Sequence, residues 1–160
     1  MEIQDKQLIR AGKVYLAPAD YHLLVESGHF ALSTEAPVTY ARPSIDVLFE
    51  TAANAYGKQV IGIILTGSSS DGARGLAKIK AWSGVALVQE PATAVSRIMP
   101  DAAIAAVPNA KILPLSKITS YLVNLCTSVE AGLENKQSIR AKNDEQNPPQ
   151  PTSDSDYKSL

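Results

Sequence analysis

Apolar positions along this chain follow two periods, and the switches between them lay out its elements. Val60-Ile61-Gly62-Ile63-Ile64-Leu65 is a continuous, largely β-branched run that ends in a Gly/Ser turn. Such a run reads as a strand over 60–66 buried on both faces of a parallel sheet. It opens directly into helical spacing from Asp71 to Trp82, closed by Ser83-Gly84, and Val85-Ala86-Leu87-Val88 then repeats the buried-strand pattern. Upstream, Ile45, Leu48, Phe49, Ala52, Ala53 and Tyr56 recur at helical intervals after Pro43-Ser44 and stop at Gly57. A proline at the start and a glycine at the end bracket that stretch as a helix.

Weaker patterns fill the remainder. Residues 13–17 read as a short strand stopped by Pro18, and 22–26 with 29–33 as a hairpin around Ser27-Gly28. Residues 37–43 read as an irregular connection. Met99-Pro100-Asp101 opens a short Ala-rich helix, and a last helix is predicted from Ser116, as N-cap, to Leu133. The alternation implies an α/β fold: a partial doubly wound, mostly parallel sheet with flanking helices in three layers, plus a small hairpin. From 134 to 160 Asn, Gln, Ser, Asp and Pro dominate, and that stretch reads as a disordered polar tail.

Composition adds exclusions more than assignments. Fifteen basic and sixteen acidic side chains leave a net charge of −1, so no global field points to nucleic acid or an anionic membrane. Lys78 and Lys80 read as a solvated helix face. The single cysteine, Cys126, cannot form an internal disulfide, lies in an apolar helical run and reads as a buried, inert thiol. With no signal segment and no apolar run near 18 residues, a cytoplasmic protein without membrane insertion is expected.

Chemistry concentrates in the loop Gly67 to Gly75. Its glycines and the first amides of the following helix could hold an anion. It lacks the Gly-Lys-Ser/Thr of a P-loop, however, and Gly67-x-x-x-x-Gly72 fails the dinucleotide pattern. Asp71, where the loop becomes a helix, either caps that helix or orients a catalytic base. Ser68, Ser69 and Ser70 are nucleophile candidates only if a histidine reaches them. The two histidines, His22 and His29, read first as ordinary surface or core residues. No metal-ligand spacing and no cofactor motif occurs. Trp82, Tyr40 and Tyr56 read as packing residues.

Six blocks in order resemble the catalytic domain of the chemotaxis protein-glutamate methylesterases, the CheB family. They are Gly12-Lys13-Val14-Tyr15-Leu16-Ala17-Pro18, Asp20-Tyr21-His22-Leu23-Leu24-Val25, and Ala41-Arg42-Pro43-Ser44-Ile45-Asp46-Val47-Leu48-Phe49. Leu65-Thr66-Gly67-Ser68-Ser69-Ser70-Asp71-Gly72-Ala73, Gln89-Glu90-Pro91-Ala92-Thr93-Ala94 and Met99-Pro100 complete the set, over roughly residues 9–125. The resemblance implies a Ser-His-Asp hydrolase that removes methyl esters from receptor glutamyl side chains, with deamidation of receptor glutamines in many members. It assigns Asp71 as the acid, and Gly67 and Ser68 to the oxyanion and substrate loop. The implied partners are chemoreceptor cytoplasmic domains and a receptor methyltransferase.

The family places its nucleophile in a Gly-x-Ser-x-Gly-Gly loop and its histidine after the next strand. Neither pattern occurs in this chain, and about 60 residues of βαβ structure are expected upstream of Gly12. Residues 1–133 therefore correspond to the C-terminal portion of a methylesterase-like domain, with Asp71 the one triad residue assigned. The edges and apolar faces of strands 60–66 and 85–88 are expected to be exposed without the rest. Two functions stay open: part of a working methylesterase, or a catalytically inactive half-domain that binds receptor or methyltransferase. A new hydrolytic site built from Ser68–Ser70 and His22 is a third, minor alternative.

Overall fold

The computed structural model describes residues 3–127. The chain divides into two compact units, Met1–Ile118 and Thr119–Leu160. In the second unit, the described residues 119–127 are helical. The first unit holds β1 (His22–Glu26), β2 (His29–Ser33), α1 (Ile45–Tyr56), β3 (Ile61–Ile64), α2 (Ala73–Ala81), β4 (Val85–Gln89), α3 (Ile98–Ala106) and β5 (Lys111–Leu113), with helical residues again from 115. β3, β4 and β5 form a parallel sheet in that order, and β1 and β2 pair as a separate antiparallel hairpin. The protein is therefore an α/β fold: a parallel three-stranded sheet flanked by helices, with a small hairpin beside it.

Packing follows from the strand pattern. Ile64, Ala86 and Val88 share one sheet face, where Leu76 of α2 and Ala103 and Val107 beyond them close a core with every member at most 3% exposed. Burying a side chain such as Ile64 or Leu76 contributes about 1.5–3 kcal/mol. A second cluster joins Ile3, Leu23 and Phe30, with Tyr15 standing edge-on to Phe30 at 4.9 Å. The hairpin is tied to α1 by two hydrogen bonds: Val25 N–H donates to Thr51 Oγ1 (3.0 Å) and Gly28 N–H to the Tyr56 hydroxyl (2.9 Å).

Several expectations need correction. Residues 13–17 form no strand; Leu16 is a lone bridge residue, and Val14 and Leu16 are 81% and 64% exposed. Tyr15 anchors the segment, donating to Leu8 O and accepting from Arg10 N–H, and Ala17 packs beside it on the second cluster. The exposure expected of both sheet strands falls on β3 only. β3 ends the strand order and its extension at Leu65 is 41% exposed, whereas Ala86, Leu87 and Val88 of β4 are at most 3% exposed. β4 is central, so both of its edges are paired. β5 has no counterpart in the sequence pattern, because three residues between Pro108 and Pro114 carry almost no period. The last helix starts at 115, which places Ser116 inside the first turn rather than at the cap, and Pro114 O accepts the Lys117 N–H (2.8 Å). Cys126 is exposed, not buried. Residues 128–133 of the expected helix, and the tail over 134–160, lie outside the described residues. No helix among the described residues is long and apolar enough to cross a membrane.

Candidate active site

Among the described residues, five polar side chains are buried: His22, Ser44, Asp46, Asp71 and Gln89. Buried polar groups need partners, since each one left unpaired costs about 1–3 kcal/mol. Four of the five form a single network centred on Asp71, at the carboxyl end of β3.

Of the two roles open to Asp71, capping a helix or orienting a catalytic base, the capping bonds are present, in an unexpected place. It caps a helix, but not the one it precedes. Its Oδ2 accepts the Ile45 N–H (2.7 Å), while Oδ1 accepts the Asp46 N–H (3.1 Å) and the Ser44 hydroxyl (2.7 Å). All three donors lie at the start of α1, where amides lack intrahelical acceptors and the helix dipole favours an anion. Asp46 answers in kind: its Oδ1 accepts the Gly75 N–H in the first turn of α2 (2.8 Å). Two aspartates thus cap each other's neighbouring helix. The residue before α2 is Gly72 at φ +93°, with no side-chain cap. Close approach is the condition for the exchange. A Cβ on Gly75 would lie 2.6 Å from Phe49 Cβ and 3.0 Å from Asp46 O.

Ser44 gives up the usual cap bond to its own helix and turns its hydroxyl to Asp71. Its backbone N–H donates to His22 Nδ1 (3.2 Å), and His22 Nε2 lies 3.1 Å from Ala36 O. This arrangement requires the neutral imidazole with its proton on Nε2. A serine, a histidine and an aspartate therefore do meet here, but not as a triad. The hydroxyl faces the carboxylate, and the imidazole meets a backbone amide. His22 is a satisfied core histidine. His29 pairs with Glu26 at the hairpin (Nε2 to Oε2, 2.6 Å). At the edge of the network, Arg74 bonds Glu50 and lies 3.9 Å from Asp46 Oδ2. That hydrogen bond and then the Glu50 charge hold its guanidinium above the ordinary range, with smaller contributions from Asp46 and Asp71.

The loop itself is pinned on its other side. Thr66 N–H donates to Gln89 Oε1 (2.9 Å), and the Gln89 amide reaches on to Thr93 O (2.9 Å). Gly67 N–H donates to Ser96 O (3.1 Å), while Gly67 O accepts from Ser96 Oγ (2.9 Å) and Met99 N–H (3.0 Å). The Gly67 amide is thus spent within the protein, and Ser68 next to it is exposed. Ser69 Oγ accepts the Asp71 N–H (3.1 Å), a local turn bond rather than a nucleophile's arrangement. As members of these hydrogen-bond networks Ser44, Asp46, Gln89 and Ser96 carry little local mark in the sequence; the signals present are Ser44 after Pro43 at the start of a helix and a polar Gln89 closing an apolar strand run. No group of three or more His, Cys, Asp or Glu suited to a metal occurs among the described residues.

Comparisons with known proteins fit this architecture. Residues 1–122 match the sequence profile of the CheB methylesterase family. A Leptospira interrogans protein provisionally named a protein-glutamate methylesterase/protein-glutamine glutaminase is 48% identical over 125 residues, which is 78% of this chain and 65% of that protein. A Paramagnetospirillum magneticum protein-glutamate methylesterase/protein-glutamine glutaminase is 37% identical over 128 residues, 34% of its own length. The crystal structure of the Thermotoga maritima CheB methylesterase catalytic domain superposes with a TM-score of 0.74 at 31% identity, covering 78% of this chain and 68% of that one. The chain thus spans less than two thirds of the curated relatives' length. It belongs to the CheB methylesterase family.

Proposed function

We propose that this chain supplies the acid and one oxyanion donor of a Ser-His-Asp hydrolase that cleaves glutamyl methyl esters on chemoreceptor cytoplasmic domains, and deamidates receptor glutamines. The observation that carries the reading is the state of Asp71: 3% exposed, at the carboxyl end of a parallel strand, and held by three donors. A carboxylate offers about four acceptor positions, so one remains on Oδ2. An imidazole N–H taking that position would be fixed in its tautomer and stabilised when it receives the serine proton. The Ser68 amide, following a Gly67 clamped by Ser96 and Met99, suits a donor aimed at the developing oxyanion. The nucleophile and its histidine are groups other than His22 and His29.

The test is methanol release from a methylated receptor cytoplasmic fragment by the native protein purified from its source, beside its Asp71→Asn variant. Replacing a triad acid by its amide lowers turnover on the order of 10⁴-fold. A variant within a few-fold of the parent removes Asp71 from the reaction.

One observation favours a second reading. Both histidines of this chain are engaged elsewhere, His22 with Ser44 and Ala36 and His29 with Glu26. On that reading the chain is a binding module for a chemoreceptor or a receptor methyltransferase. Calorimetric affinity for the receptor fragment then survives Asp71→Asn unchanged, with no esterase activity in the parent.

A further inference from the structure

We propose that Ser44 is a positioning residue: its hydroxyl sets the plane of the Asp71 carboxylate, and so the direction of the one acceptor position left on Oδ2. The inference rests on the hydrolase reading of Asp71 given above. Two amides of α1 already satisfy the burial of that carboxylate, one on each oxygen. A third donor is therefore not required for capping. It falls on Oδ1, the oxygen that already carries the Asp46 bond, and resists rotation about Cβ–Cγ. Ser44 gives up its own helix cap to supply it. The serine is in turn fixed from behind. His22, 1% exposed, accepts the Ser44 N–H and is itself tied to Ala36 O, while Ser44 is 2% exposed. His22, Ser44 and Asp71 are buried throughout, and the chain they form is anchored at its hairpin end by the carbonyl of the exposed Ala36.

Steady-state kinetics of the native protein on a methylated receptor fragment test the assignment, with Ser44→Ala, Ser44→Thr, Ser44→Cys and Asp71→Asn compared. A carboxylate free to pivot misdirects the imidazole, and misplacement of that order costs about ten- to a hundredfold. The expected result is that loss in kcat for Ser44→Ala with KM unchanged, and recovery to within about threefold of the parent in Ser44→Thr, which keeps the hydroxyl. Urea melts confirm that each variant is folded. Should the alanine variant fail to fold, Ser44→Cys retains the volume with only a weak donor and shows the same fall in kcat. Parental kcat in a folded Ser44→Ala or Ser44→Cys overturns the positioning role and leaves the acid reading intact. Equal losses in the alanine and threonine variants overturn it too, because the hydroxyl is then not what matters. Parental activity in Asp71→Asn, or no methanol release by the parent, overturns the hydrolase reading and this inference with it.

Discussion

Replacing Asp71 should unfold the protein's helical layer more readily whether or not any ester is hydrolysed. In Asp71→Asn the amide oxygen can keep the two bonds of Oδ1, from the Ser44 hydroxyl and the Asp46 N–H. Its NH₂ group then faces the Ile45 N–H, donor against donor, where Oδ2 accepted at 2.7 Å. A bond to a charged acceptor is worth about 1.5–3 kcal/mol, and losing the anion at the start of α1 adds about 0.3–1 kcal/mol. The expected cost is about 3 kcal/mol. Asp71→Ala strands all three donors and is expected to cost about 4 kcal/mol, within the range seen for breaking buried polar networks. With a urea m-value of about 2 kcal/mol/M, the midpoint moves down by about 1.5 M and 2 M respectively. Emission from the single tryptophan, Trp82, 49% exposed at the end of α2, reports the transition. The outcome that refutes the reasoning is an Asn variant whose midpoint and slope both match the parent.

Other consequences follow from the same packing. Asp46→Ala removes the cap on Gly75 N–H and should cost about 1–2 kcal/mol. Combined with Asp71→Ala it should cost less than the sum, since both substitutions remove bonds across the same α1–α2 contact and the first already loosens what the second would break; strict additivity in a double-mutant cycle counts against reciprocal capping. Gly75→Ala pushes a methyl group against Phe49 Cβ and the Asp46 backbone and should lower stability by about 1–3 kcal/mol, with no recovery in the Phe49→Ala background, which keeps that Cβ; a neutral substitution would show the helices are not in close register. Arg97 bonds Asp101 and holds its carboxyl below the ordinary 3.8. Its contribution is therefore present at neutral pH and lost as pH falls through that lowered value. The two side chains are 69% and 44% exposed and screened by salt, so Asp101→Asn should be indistinguishable from the parent in urea melts at pH 7 and 1 M salt; a resolved difference there is the contrary result. Finally, Cys126 should react with a maleimide in the folded protein at the rate seen in urea, and a marked lag would contradict its exposure.

Elements carried by strong local signals were legible in the sequence. Ser27-Gly28 located the hairpin turn to the residue, and Pro43-Ser44 with Gly57 bracketed α1. Residues 13–17 misled because alternation states only that a segment could pair, whereas a strand exists when a partner edge is present. The position of Asp71 at the end of β3 was readable from the apolar run before it. What it binds was not. Adjacency favours a cap on its own helix, and the actual donors lie 25 to 27 residues upstream, on a helix brought alongside by Gly75. His22 and Ser44 became neighbours for the same reason, across 22 residues of chain. Contacts of that range come from tertiary packing and leave no local period.

The two bonds that fasten the hairpin to α1 have a kinetic consequence. A two-stranded ribbon alone is marginal in water and would let its amide protons exchange freely. Here the Val25 and Gly28 protons are held by Thr51 and Tyr56, in the middle and last turn of α1, while its first turn is clamped by Asp71. Opening at the hairpin edge therefore requires α1 to let go, and α1 is fastened at both ends. In native-state hydrogen exchange the amides of Val25, Gly28, Ile45 and Asp46 should belong to one cooperative unit, released together rather than hairpin first.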